Sequence, residues 1–143
     1  MTVLIDTGVL YADHDTDAVR HDSATSALEA VYDGTFGQPY ISDYIYDEAV
    51  TLTLKRSGSH AAATTVGERL RGAGEFPQAY EMLDVSAAVF DDAVALFEQC
   101  DDQAVSFTDA TTVALLERHG IDAILSFDDD FDGLVHRVDP SEL

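Results

Sequence analysis

What this sequence lacks narrows its chemistry before any motif is considered. A single cysteine, Cys100, rules out an internal disulfide framework and every CxxC metal or redox motif. It leaves that thiol the part of a small, half-buried filler on a helix. No apolar run exceeds a few residues, far short of the ~20 a membrane span needs, and no basic stretch followed by an apolar segment opens the chain. A soluble, cytoplasmic protein without a membrane partner is expected. Glycine-rich phosphate loops are missing too, which removes the nucleotide enzymes built on them. The five histidines (His14, His21, His60, His119 and His136) are scattered without ligand spacing and are assigned to surface positions or caps.

Bases are scarce as well. Lysine occurs once, as Lys55, and seven basic residues face 28 acidic ones, for a net charge of −21. Taken alone, that balance argues against nucleic acid as a ligand, because phosphate binding is normally supplied by clustered Lys and Arg. The acidic excess is, however, spread along the whole chain and leaves the apolar pattern intact, a composition resembling that of proteins from extreme halophiles. At 1 M salt the Debye length is about 3 Å, so distributed negative charge hardly repels an incoming anion. Net charge is therefore read as an environmental signature, and individual positions decide function.

What is present is enough for a core: 143 residues, 46% of them hydrophobic, suit one compact domain over residues 1–143. Thr2-Val3-Leu4-Ile5 reads as a central, doubly buried strand that delivers Asp6 at its end. Thr7 to Asp13 starts a short helix with Thr7 near its cap, and Ala18 to Tyr32 has the three-to-four spacing of an amphipathic helix. Tyr40-Ile41 is a very short strand stopping at Ser42, which caps a helix to about Lys55. A helix over His60 to Arg71, a strand over Tyr80 to Val85 and a helix capped by Ser86 and running out near Cys100 follow. Ser106 to His119 is helical, Ala123 to Phe127 a second apolar strand, Asp128 to Gly133 an acidic loop, and Leu134 to Val138 a last, edge strand. This alternation predicts an α/β fold, a three-layer α/β/α sandwich with a mainly parallel sheet of four or five strands.

In such a sheet the strand ends converge on one edge, where Asp6 and the Asp128 loop meet. Glu48 borders the face of its helix that should be buried, and Asp109 starts a helix whose N-terminus can share that cleft. Several acids in one cleft stay ionised together only with cations between them. An all-oxygen donor set suits magnesium or manganese. Each acid also has a structural reading. Asp6 could cap the first helix, Ser106-Phe107-Thr108-Asp109 fits a capping box, Glu48 could be a rim residue, and most of Asp128 to Asp132 could be solvated surface.

Four motifs in order, Val3-Leu4-Ile5-Asp6-Thr7, Ser42 followed by Glu48-Ala49, Ser106-Phe107-Thr108-Asp109-Ala110, and Ile124-Leu125-Ser126-Phe127-Asp128-Asp129-Asp130-Phe131, together resemble the PIN-domain family, especially its VapC-type toxin ribonucleases. The resemblance spans essentially the whole chain. It implies an endoribonuclease dependent on Mg2+ or Mn2+, acting on RNA as a homodimer and, in toxins, silenced by a small antitoxin. Asp6, Glu48 and Asp109 match the family's core acids and Asp128 the fourth, with Asp130 competing for that place. Thr7 and Ser106 or Thr108 match supporting hydroxyls. Lys55 with Arg56, and Arg69 with Arg71, are the close basic pairs that could meet RNA phosphates. A catalytically silent PIN module acting as a binding subunit, and an RNA-processing PIN nuclease without an antitoxin, are the alternatives. A haloacid-dehalogenase-type phosphatase fails for want of a second Asp after Asp6-Thr7-Gly8 and of a late lysine. A phosphorylation receiver domain fails because Lys55 is mid-chain.

Overall fold

The computed structural model of the chain describes all 143 residues. Its centre is made by two short apolar runs, β1 (Val3–Ile5) and β4 (Ala123–Leu125), in which every residue is fully buried. Strands covered on both faces are what a parallel sheet between helices requires. β2 (Pro39–Ser42) and β3 (Glu81–Leu83) extend the sheet on one side, β5 (Arg137–Val138) on the other, giving the all-parallel order β3-β2-β1-β4-β5. In register, Val3 faces both Pro39 and Ala123, and Leu4 faces Tyr40 and Ile124. The chain thus works outward from β1 to β3 and then returns to the far side of β1. That reversal puts a topological switch between β1 and β4, where a crevice opens at the carboxyl ends of the strands.

Helices α1 (Thr7–His14), α2 (His21–Tyr32), α3 (Asp43–Ser57), α4 (His60–Arg71), α5 (Ala87–Gln99) and α6 (Phe107–His119) cover the sheet in a three-layer α/β/α sandwich. α1 packs on α2 and α3, α3 on α4, and α5 on α6. No helix is long and apolar enough to cross a membrane. Local chemistry sets the helix ends: Ser42 Oγ accepts the Ile45 N–H at 3.0 Å, Ser59 Oγ that of Ala62 at 3.1 Å and Ser86 Oγ that of Val89 at 3.2 Å. Each such cap contributes about 1 kcal/mol. Gly72 ends α4 at φ +66°, and a Cβ there would lie 2.6 Å from the Gln78 Cα, so sterics and backbone both demand glycine. On α4 itself, a Cβ at Gly67 would lie 2.6 Å from the Tyr46 hydroxyl, and its absence is what lets α4 approach α3.

The bounds of α2, β4 and β5 differ from the sequence-based expectation. α2 starts at His21, not Ala18, because Ala18 N–H and His21 N–H are used in turns onto Asp15 and Ala18 carbonyls. His21 is also no mere surface or cap residue: its half-buried ring donates from Nδ1 to the Ala12 carbonyl at 2.8 Å, tying α2 to α1. β4 stops at Leu125, and Phe127 turns out of the sheet beneath the Arg20 guanidinium. Leu134 and Val135 do not join β5, since their N–H groups bond back to the Phe131 carbonyl in the turn that buries Phe131. Cys100 closes α5 and is half-buried, as expected.

Candidate active site

Asp6 follows directly on β1, and its N–H donates to the Leu125 carbonyl of β4 at 3.0 Å, which pins it beside the switch point. Its carboxylate is engaged on both oxygens: Oδ1 accepts the Thr7 N–H at 2.9 Å, and Oδ2 accepts the Ser126 hydroxyl at 2.6 Å. Asp6, not Thr7, is therefore the N-cap of α1. Ser126 Oγ in turn accepts the Asp128 N–H at 3.0 Å, so one buried hydroxyl links the end of β1 to the start of the acidic loop.

Asp109 sits in the first turn of α6, in the capping box the sequence predicted: its Oδ2 accepts the Ser106 N–H at 3.1 Å while Ser106 Oγ accepts the Asp109 N–H at 3.0 Å. The capping and cleft readings of Asp109 are not exclusive, because one oxygen serves the cap and the side chain still borders the cleft. Glu48 reaches the same place from α3. Asp128 reaches it from the loop after β4. Four carboxylates from four separate parts of the chain thus line one cleft of about 500 Å³, together with Thr7, Ser106 and Phe127.

Asp130 does not line this cleft. Its N–H donates to Asp128 Oδ1 at 2.9 Å, and the neighbouring Asp128 charge raises its carboxyl. Thr108 lies outside the lining too, its carbonyl accepting the Thr111 hydroxyl at 2.6 Å. The basic pairs divide. Arg56 stacks over the Tyr11 ring one groove away, whereas Arg69 pairs with Asp13 at 3.5 Å and stacks over Phe76. Lys55 and Arg71 are exposed and line neither cleft nor groove. Arg69 instead borders a hollow of about 450 Å³ at the amino ends of β2 and β3 that contains no carboxylate.

One residue buried behind the cleft and one bordering it are not marked by the sequence. Ser126 looked like part of an apolar strand, and only its burial against Asp6 reveals its job. Arg20 is a lone base within the segment expected as the amphipathic helix Ala18 to Tyr32, without the clustering that would mark it; it borders the cleft with its guanidinium 4.8 Å from the Phe127 ring centre.

The electrostatics are those of a site short of positive charge. Burial raises the Asp6 carboxyl to about 7, with further upward pushes from Asp109 and Glu48 that the Ser126 and Thr7 hydrogen bonds only partly offset. Asp109 is raised as well, first by desolvation and then by Asp128 and Glu48. None of the four acids forms an ion pair with a basic side chain. The Thr7 hydroxyl is buried in the same lining without a hydrogen-bond partner. Converging all-oxygen donors, the raised carboxyls of Asp6 and Asp109 and an orphaned hydroxyl fit a hard divalent cation, which would stabilise every one of those charges at once.

A family model for the PIN domain matches residues 3–136. No curated protein matches the chain by sequence. Among solved structures, VapC20 of Mycobacterium tuberculosis, a sarcin-ricin loop cleaving toxin, superposes with a TM-score of 0.77 at 24% identity, over 91% of this chain and 92% of that one. A toxin-antitoxin complex from Klebsiella pneumoniae gives 0.66 at 20% identity, over 97% and 98% of the two chains. FitAcB from Neisseria gonorrhoeae gives 0.68 at 16% identity, over 99% and 100%. At these identities the structural likeness speaks for the fold, and the family model spans nearly the whole sequence: this chain belongs to the PIN domain family.

Proposed function

We propose that the chain is a metal-dependent endoribonuclease that hydrolyses RNA phosphodiester bonds as the toxin of a toxin–antitoxin pair. The observation that carries this reading is the convergence of Asp6, Glu48, Asp109 and Asp128 on one cleft with no basic partner among them. In it Asp6, Asp109 and Asp128 would hold one or two Mg2+ or Mn2+ ions. When bound, such an ion supplies Lewis-acid activation of the phosphate and acidifies a water. Glu48 either completes the ligand set or orients the attacking water. The Thr7 hydroxyl, free of any protein partner, supports the cation or that water. Ser126 holds the Asp6 carboxylate in place through its 2.6 Å hydrogen bond. Ser106 keeps Asp109 in its rotamer through the capping box.

The partners in this reading are an RNA substrate, a small antitoxin and a second copy of the chain. Toxin–antitoxin assembly is what the Klebsiella structure contains, and it is proposed here by that likeness. Phe90 and Phe97 on α5, each 43% exposed and stacked edge-on against Phe107 at 5.5 and 5.9 Å, are the surface assigned to self-association. The cytoplasm is the compartment where RNA and antitoxin would be met, and the excess of acids suits a high-salt interior.

The test is cleavage of total cellular RNA in high potassium with Mn2+ or Mg2+, run against chelator, Asp6→Asn and Asp109→Asn. Cleavage should disappear in all three controls. Activity that survives both substitutions would place the chemistry elsewhere. Folded, metal-loaded wild type that cuts nothing would instead favour a PIN module that only binds.

A further inference from the structure

The seven bases of this acidic chain are not deployed alike. Arg69 pairs with Asp13, Arg118 with Asp92, and Arg137 with Asp132 and Asp139. Arg20 and Arg56 form no ion pair, and each lays its guanidinium over an aromatic ring, Arg20 on Phe127 at 4.8 Å and Arg56 on Tyr11 at 4.7 Å from the ring centre. Between them runs a groove of about 320 Å³ whose floor includes Gly8, Tyr11 and Leu52. The groove is continuous with the acid cleft, since Gly8, Arg20, Leu52 and Phe127 line both. Beyond Arg56 it passes into a hollow bordered by His14, Asp15 and Asp17, where negative charge ends any path an anion could follow.

We propose that this groove, between α1 and α3, is the track along which a single-stranded segment of the RNA lies as it leaves the acid cleft, its phosphates held by Arg20 and Arg56. The inference rests on the nuclease reading above and names which part of the surface receives the substrate. A guanidinium stacked on a ring loses little hydration and keeps its in-plane N–H groups free, which suits bidentate binding of a phosphate. The ring also holds the side chain ready, so less rotamer entropy is lost on binding. Arg20 and Arg56 leave the four acids uncompensated, so their charge remains available to a ligand. From Glu48 to Arg56 is eight residues of α3, about 12 Å of rise, or roughly three nucleotides at a stacked spacing of ~3.4 Å.

The experiment compares wild type with R20A, R56A, R20A/R56A, R20K/R56K and, as a charge control at the opposite end of α6 from Asp109, R118A. The probes are a labelled single-stranded uridine oligomer and a diuridine monophosphate. Binding is measured with chelator present across a potassium chloride series, and Mn2+ binding separately by thermal shift. R20A/R56A should weaken oligomer binding on the order of tenfold and flatten the slope of log Kd on log salt by about 1.4, two contacts at ~0.7 each. R56A should leave the dinucleotide, too short to reach it, bound as by wild type, and the Lys pair should recover the slope with only part of the affinity. R118A should bind the oligomer as wild type does, and every variant should keep its Mn2+-induced stabilisation. The track is overturned if R20A/R56A binds the oligomer with wild-type affinity and slope, if wild type binds no single-stranded RNA, or if the arginine pair proves necessary only for an acidic protein partner. Wild type that binds through the pair yet never cleaves with metal would sink the nuclease reading while leaving the track standing.

Discussion

Replacing Asp6 by Asn separates the cost of the buried charge from its use. In the folded chain the Asp6 carboxyl keeps its proton up to about pH 7, whereas in the unfolded chain it releases it near the ordinary value of about 3.9. Between those two values folding takes up a proton, so the contribution of Asp6 to stability is fully present below about pH 4, falls as pH rises, and is lost once pH passes about 7. Three pH units at ~1.4 kcal/mol each put an upper limit of about 4 kcal/mol on that loss. Asp6→Asn cannot ionise and retains both polar contacts, its Oδ1 accepting the Thr7 N–H and its Nδ2 donating to Ser126 Oγ in place of the present 2.6 Å bond. Urea denaturation with chelator should therefore find the variant and wild type equally stable near pH 4. The variant should gain progressively to pH 8, by up to about 4 kcal/mol. Adding Mn2+ should close the gap from the other side, stabilising wild type by about 2.7 kcal/mol at a hundredfold excess over Kd and the variant far less. A stability difference that does not change between pH 4 and 8 would refute the reasoning, because it would mean that the Asp6 carboxylate is not held in a desolvated, cation-starved site.

Ser126→Ala removes a charge-assisted bond from Asp6 and the acceptor of the Asp128 N–H; it should cost about 2 kcal/mol in metal-bound stability and push the pH at which RNA cleavage sets in upward. Asp128→Asn should abolish Mn2+-induced stabilisation while Asp130→Asn, outside the cleft lining, keeps it; thermal-shift titrations of the two variants read the difference directly, and the reverse order would make Asp130 the fourth ligand. Gly72→Ala should destabilise the fold by more than about 1 kcal/mol, since a Cβ there meets the Gln78 backbone at 2.6 Å; calorimetry showing no loss would mean that the α4 terminus relaxes freely. With 28 acids and four ion pairs, melting temperature should climb as potassium chloride rises from 0.1 to 1 M, where screening shortens from about 10 to about 3 Å; a flat or falling curve would contradict the high-salt reading of the composition.

The residues by themselves determined the order and kind of the elements. Val3-Leu4-Ile5 and Ala123-Ile124-Leu125 announce doubly buried strands by being apolar without alternation, and Ser42, Ser59, Ser86 and Ser106 announce helix starts, because both signals act within a few residues of chain. The four acids were legible for the same reason: each stands at a strand end or in a helix turn that local sequence defines. What the sequence could not supply was the side-chain contacts by which distant segments meet in that cleft. Whether Asp128 or Asp130 faces Asp6 depends on a turn that Asp128 itself caps. Ser126 becomes a partner of Asp6 only because β4 lies next to β1, although 120 residues separate them. Arg20 and Arg56 are remote from one another in the chain and come to line one groove only where α1, α3 and the Phe127 turn meet. Hydrophobic period and capping are short-range and survive in a string of letters. Burial of a carboxylate, a hydroxyl left without a partner and the pairing of one arginine but not another are decided by which elements the closed sheet brings together.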